Sequence, residues 1–169
     1  LAGFTEMSRR LDPEDLREVM RASGAGGMVG GQLYDLEGEG MPLTLSELER
    51  VHRMKTGALI SASVRIGGLA ALAGGETLAA FARYGAAVGL AFQIADDVLD
   101  VTSTTDELGK TAGRDAELKK STYPALLGLD GARARADRLC DDACVALREA
   151  GIRSPQLEAL ARIVVDRRS

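Results

Sequence analysis

The run Phe92-Gln93-Ile94-Ala95-Asp96-Asp97-Val98-Leu99-Asp100 brings three carboxylates and a carboxamide close together in the chain. On a helix, Asp96 and Asp100 lie one turn apart with Asp97 beside them. Gln93 stands three residues before Asp96 and four before Asp97, so the four polar groups form one stripe. Three carboxylates this close repel one another unless a cation neutralises them. The hard cation suited to carboxylate oxygens together with water or phosphate is Mg²⁺. The competing reading is a solvated acidic helix end. Residues 84–95 weigh against it, because they carry no charge and are apolar nearly all round, as in a helix at the middle of a bundle.

Cations follow this segment. Lys110 comes after Leu108-Gly109, and Lys119 and Lys120 precede Ser121-Thr122-Tyr123-Pro124. Lysines in a loop after an acidic metal-binding helix would share, with the metal, the charge of a bound polyphosphate. Taken alone they read as solvated loop lysines. Lys55-Thr56-Gly57 lies inside a long helical pattern, where a lysine followed by a hydroxyl and a small residue could face the same cavity. Alone, Lys55 reads as a snorkelling surface residue.

Other candidates fall away. Asp141-Asp142 has Val145 where a third acid would be needed and lies among Arg138 and Arg148, so it reads as a solvated face. Residues 24–31 are glycine-rich but lack Gly-Lys-Ser/Thr and a preceding strand, so they are not a phosphate-binding P-loop. These glycines, with Gly85 and Gly89, read as sites of close helix packing. His52, flanked by Arg50 and Arg53, reads as a surface or packing residue. Cys140 and Cys144, four apart, would share a helix face, a poor geometry for a disulfide, and read as core thiols.

The elements that must position these groups are helical. β-branched residues are scattered singly among Ala, Leu, Arg and Glu, which are good helix formers. A first helix is expected over about residues 1–11. Asp12-Pro13 gives an N-cap and a proline at the first helical position, opening a helix to about residue 23. The next is expected over 24–36. Thr44 with Glu47 forms a capping box that opens a helix to about residue 72. Another runs from 76 to about 102, then a polar loop covers 104–122. Helices follow at about 123–129 and 131–150, and Ser154-Pro155 caps a last one ending near residue 167. With no internal repeat and mostly short connections, residues 1–169 read as one packed all-α domain.

Composition narrows the function. The 169 residues hold 21 Lys+Arg against 25 Asp+Glu, a net charge of −4, and the sequence pI is near 5.1. That argues against a nucleic-acid binder, which carries a basic surface. Aromatics are only 4% with no Trp, so stacking platforms for bases are not expected. One histidine excludes a site built from several. Two cysteines cannot staple a secreted scaffold, which points to a reducing, cytoplasmic setting. The longest uncharged run, residues 22–34, falls short of the roughly 20 apolar residues of a membrane span, so none is expected. There is no signal-peptide pattern. The chain opens at Leu1 inside an amphipathic pattern, and a truncated product is expected.

Taken together, GMVGGQLYDL, HRMKTGAL, FQIADDVLD, LGKTAGRD and KKSTYPALLGL, in that order, resemble the trans-isoprenyl diphosphate synthases, farnesyl and geranylgeranyl diphosphate synthases above all. The resemblance implies an all-α fold of antiparallel helices around a deep central cavity, with a homodimer as the usual state. It implies Mg²⁺-dependent head-to-tail transfer of an allylic prenyl diphosphate onto isopentenyl diphosphate, giving farnesyl or geranylgeranyl diphosphate. Carried over by residue, Asp96 and Asp97 would bind Mg²⁺ directly or through water, with Asp100 in support. Lys55, Lys110 and Lys120 match the lysines that hold the allylic diphosphate. Thr56 and Gln93, helped by the Lys55 carbonyl, match the pair that faces the developing allylic cation. Gln32 and Asp35 match the GQxxD helix at the cavity wall, and Phe92 matches the aromatic near the homoallylic substrate. Arg167 and Arg168 resemble the basic terminus that closes over it. The match covers the C-terminal half of the family's length. The first Asp-rich motif, the arginines after it and the residues that set product length have no counterpart, so the chain alone is expected to be inactive. The alternatives are a non-catalytic subunit of a heteromeric synthase and a terpene cyclase of the same fold. The intact DDVLD and lysines argue against the first; the GKTAGRD and KSTYP elements argue against the second.

Overall fold

The computed structural model describes residues 13–102 and 120–166. The helix expected over 1–11, most of the 104–122 loop with Lys110 and Lys119, and Arg167 and Arg168 lie outside the described residues.

Among the described residues the chain is helical and has no strand: α1 (Pro13–Ser23), α2 (Met28–Glu37), α3 (Leu45–His52), a π-turn (Arg53–Gly57), α4 (Ala58–Ala70), α5 (Gly75–Thr102), α6 (Tyr123–Leu127), α7 (Leu129–Glu149) and α8 (Pro155–Asp166). Local chemistry explains most boundaries. Pro13 opens α1. Thr44 and Glu47 form the expected capping box: the Thr44 side chain accepts from the Glu47 amide, and a Glu47 carboxylate oxygen accepts from the Thr44 amide at 2.8 Å. The Ser154 hydroxyl accepts from the Leu157 amide at 3.3 Å and starts α8.

Several boundaries differ from expectation, among them α6, which ends at Leu127 instead of 129, and α7, which begins at Leu129 instead of 131. α2 begins at Met28 instead of 24, because Gly24, Gly26 and Gly27 lose too much backbone entropy to extend it. The helix expected from Thr44 to about residue 72 is interrupted by the π-turn, and α4 ends at Ala70.

α5 is the axis of the bundle, with α7 along one flank and α4 with the π-turn along another. Four residues link α4 to α5, so the two run antiparallel. The core joins Tyr84, Leu90 and Ile94 of α5 to Tyr123, to Leu139, Cys140 and Leu147 of α7, and to Val164 of α8. Cys140 and Cys144 are buried and unbridged, as the four-residue spacing requires. Burial pushes the Cys140 thiol up to about 11. The Tyr84 hydroxyl donates to the Leu157 carbonyl at 2.7 Å and ties α8 to the axis.

The expectation that no segment reaches membrane-spanning length needs correction. α5 is long and apolar enough by length and composition, and its charged residues are too few to break the pattern. Within the bundle 56% of its most apolar window is buried, as in the core helix of a packed domain.

α5 approaches its neighbours closely at two glycines. A Cβ on Gly85 would lie 2.5 Å from the Ser61 Cα, and one on Gly89 would lie 2.6 Å from the Gly57 Cα. Gly31 does the same for α2, where a Cβ would sit 2.2 Å from the Lys55 nitrogen. The glycines read as packing residues therefore pin α2 and α5 to either side of the π-turn.

Candidate functional site

The π-turn carries Lys55 and Thr56. Such turns insert one residue into a helix and recur at functional sites. Gly31 rests against the Lys55 backbone, and Asp35, one turn further along the same face of α2, reaches its side chain. Lys55 Nζ lies 2.9 Å from Asp35 Oδ2. Lys120 Nζ lies 2.8 Å from the same oxygen and 3.2 Å from Glu39 Oε1. Two lysines from separate elements thus converge on one carboxylate. The group is partly shielded: side-chain exposures are 13% for Asp35, 19% for Lys120 and 32% for Lys55.

Burial works against the Asp35 charge, but hydrogen bonds from Lys120 and Lys55 and their charges hold its carboxyl below the usual value. Burial likewise opposes the Lys120 charge, and Asp35 and Glu39 outweigh it and hold the ammonium above the ordinary lysine value.

Segment 120–123 is anchored on both sides. The Leu43 amide donates to Ser121 Oγ at 2.9 Å, and the Tyr123 amide donates to Asp97 Oδ2 at 2.9 Å. Asp97 therefore holds the start of α6, three residues past Lys120, and joins the acidic stripe of α5 to the lysine pair. Asp97 and Asp100 are buried, whereas Asp96 is half-buried. Gln93 lies one turn past Gly89, and Thr56 adjoins Gly57, so the close crossing of these glycines places the two polar residues on neighbouring elements. Phe92 is half-buried on the same helix, and Gln32 is exposed on α2.

Beneath the lysines lies His52, the last residue of α3. It is buried with its ring centroid 5.6 Å from that of Tyr123, so it is a packing residue. Burial, its largest influence, helps push it down to about 4.

Among the described residues no group of three or more His, Cys, Asp or Glu side chains is set to enclose a metal ion. The donor set of α5 still fits a hard cation, since carboxylates on one wall leave positions for water and phosphate oxygens.

Sequence reasoning missed Glu39 and the Asp97–Tyr123 bond. Glu39 stands four residues after Asp35, a spacing that could have marked it, but it lies past the end of α2.

The polyprenyl synthetase family model matches residues 2–149. The chain is 47% identical to a farnesyl diphosphate synthase of Escherichia coli K12 over 98% of its length and 57% of the relative's. It is 40% identical to a farnesyl diphosphate synthase of Geobacillus stearothermophilus, over 97% of its own length and 57% of the relative's. Among solved structures it is similar to a polyprenyl synthase from Caulobacter crescentus CB15, complexed with calcium and isoprenyl diphosphate. There the TM-score is 0.86 at 27% identity, covering 98% of this chain and 62% of that one. A geranyltransferase from Helicobacter pylori, complexed with magnesium and isoprenyl diphosphate, gives 0.76 at 31% identity, covering 92% and 52%. The chain belongs to the polyprenyl synthetase family. It spans somewhat more than half the length of the curated relatives it matches.

Proposed function

We propose that this chain supplies the allylic-diphosphate side of a prenyltransferase that elongates an allylic prenyl diphosphate with isopentenyl diphosphate. The observation that carries the reading is the convergence of Lys55 and Lys120 on Asp35, linked through Tyr123 to the acidic stripe of α5. Lysines so placed bind and orient a diphosphate and stabilise the charge that grows on it as the C–O bond breaks. Thr56 and Gln93 present oxygen atoms toward a developing allylic cation. Asp96, Asp97 and Asp100 would hold Mg²⁺, which supplies Lewis-acid neutralisation of the leaving diphosphate. The alkene of isopentenyl diphosphate attacks the cation, and a basic oxygen of the released diphosphate takes the proton. A cytoplasmic homodimer belongs to the same reading, and the unbridged cysteines suit a reducing compartment.

The test is incorporation of labelled isopentenyl diphosphate into an allylic acceptor in the full-length protein. Asp96→Ala is expected to lower turnover at least about 100-fold, as loss of a metal ligand in the transition state requires. The exposed Asp141→Ala should leave it unchanged. Equal effects at the two positions would overturn the reading.

A further inference from the structure

Asp35 accepts both Lys55 and Lys120 on the same oxygen, Oδ2, although they lie 20 and 85 residues away in the chain. The two ammonium groups therefore sit no further apart than those two short bonds allow. Two cations that close repel, and both side chains are long and flexible, so without an anion between them they would splay toward solvent. Asp35 itself is fixed: Gly31, one turn earlier on α2, is locked against the backbone of Lys55. On the other side, Ser121 on the Leu43 amide and Asp97 on the Tyr123 amide fix the backbone that carries Lys120. The long, adjustable lysine side chains are both gathered by one oxygen, and Glu39 Oε1 adds a second contact to Lys120 at 3.2 Å.

We infer that Asp35 is a positioning residue that holds Lys55 and Lys120 as a pair spaced to grip both phosphoryl groups of a diphosphate, selecting it over a monophosphate. The inference rests on the diphosphate reading above and deepens it. It differs from a mere tie between α2 and segment 120–123, which would affect every anion alike. It differs also from simple competition, in which the Asp35 charge would weaken every anion alike.

The experiment is titration calorimetry of the full chain with inorganic pyrophosphate and with inorganic phosphate at one fixed Mg²⁺ concentration. The wild type is expected to prefer pyrophosphate. Asp35→Asn, which keeps the shape but removes the charge, is expected to lose at least about tenfold of that preference. Its phosphate affinity should stay level or rise. Both affinities moving together, with the preference intact, would overturn the inference. A wild type that does not bind pyrophosphate would overturn the diphosphate reading itself, a separate outcome visible before any variant is made.

A ligand-free measurement guards against misfolding. Competitive acetylation read by mass spectrometry is expected to show Lys55 and Lys120 protected in the wild type and several-fold faster in Asp35→Asn, with no general rise across all lysines. If all lysines accelerate together the variant has unfolded, and Asp35→Glu decides. It is expected to keep the protection, because its charge remains, and to lose part of the pyrophosphate preference, because the oxygen is displaced. Full preference in Asp35→Glu, or unchanged acetylation in Asp35→Asn, would overturn the inference.

Discussion

Removing the Asp97 carboxylate would strand the buried Tyr123 amide that it accepts at 2.9 Å. An unmade buried hydrogen bond costs about 1–3 kcal/mol. Asp97→Ala is therefore expected to lose that much stability in urea denaturation. Asp141→Ala, which breaks only an exposed pair with Arg162, should cost under about 1 kcal/mol. A difference near zero would mean that Asp97 does not hold α6. His52 carries a second expectation at this scale. Its folded value, pushed down to about 4 chiefly by burial, lies below the 6.5 of the free side chain. The unfolded chain therefore binds a proton that the folded chain refuses. The His52 contribution is complete above about pH 6.5 and falls away as the pH drops toward 4, by at most about 3 kcal/mol. Urea midpoints at pH 7 and pH 4.5 should differ less in His52→Phe than in the wild type; an equal difference would refute the assignment. The types and spacing of Asp96, Asp97, Asp100, Lys55 and Lys120 were legible in the sequence as chemistry. Their junctions were not. Lys120 meets Asp35 across 85 residues, and an amide bound to Asp97 leaves no trace in side-chain identity.

At the scale of elements, chain entropy and close packing set opposite expectations for two glycines. A Cβ on Gly89 would meet the Gly57 backbone at 2.6 Å, which cannot move aside as a flexible side chain would. Gly89→Ala is expected to destabilise by about 1–3 kcal/mol. Gly67, exposed within α4, has nothing within 4 Å of its would-be Cβ. Gly67→Ala should stabilise by about 0.5–1 kcal/mol. Thermal unfolding of the two variants checks both signs, and the same sign in both would contradict the crossing. Helix starts were readable where a side chain makes them, as at Thr44, Ser154 and Pro13. The π-turn was not readable, because Arg53-Met54-Lys55-Thr56-Gly57 fits an ordinary helical pattern. What selects the extra residue is contact with Gly31 and Gly89, which belong to other helices.

For the whole molecule the informative surface is apolar. Val29, Leu33 and Leu36 follow one face of α2 at spacings of four and three, each more than half exposed, and Met20 of α1 is more exposed still. Contiguous apolar surface of this kind favours association. Light scattering over a concentration series is expected to give a mass above the 17.8 kDa of one chain, and Leu33→Glu should lower it. A single-chain mass at every concentration would refute this. That an α-helical bundle forms was legible from periodicity and composition. Which helix faces remain uncovered was not, because the same apolar pattern serves a core and an interface.

The π-turn also makes this stretch sensitive to length in a way that its chemistry does not reveal. Consecutive helical residues are rotated by about 100°. Omitting one residue between Arg53 and Gly57 would let the chain close into an uninterrupted α-helix from Leu45 to Ala70, with every local hydrogen bond available. Yet a π-turn absorbs its extra residue within a single wider turn, so the residues beyond the deletion would keep nearly the same face. Ser61 would stay at the notch of Gly85, and Gly57 at that of Gly89. What would be lost is local: the widened turn that sets the Lys55 backbone against Gly31. A one-residue deletion there would spare the crossing with α5 and cost the site.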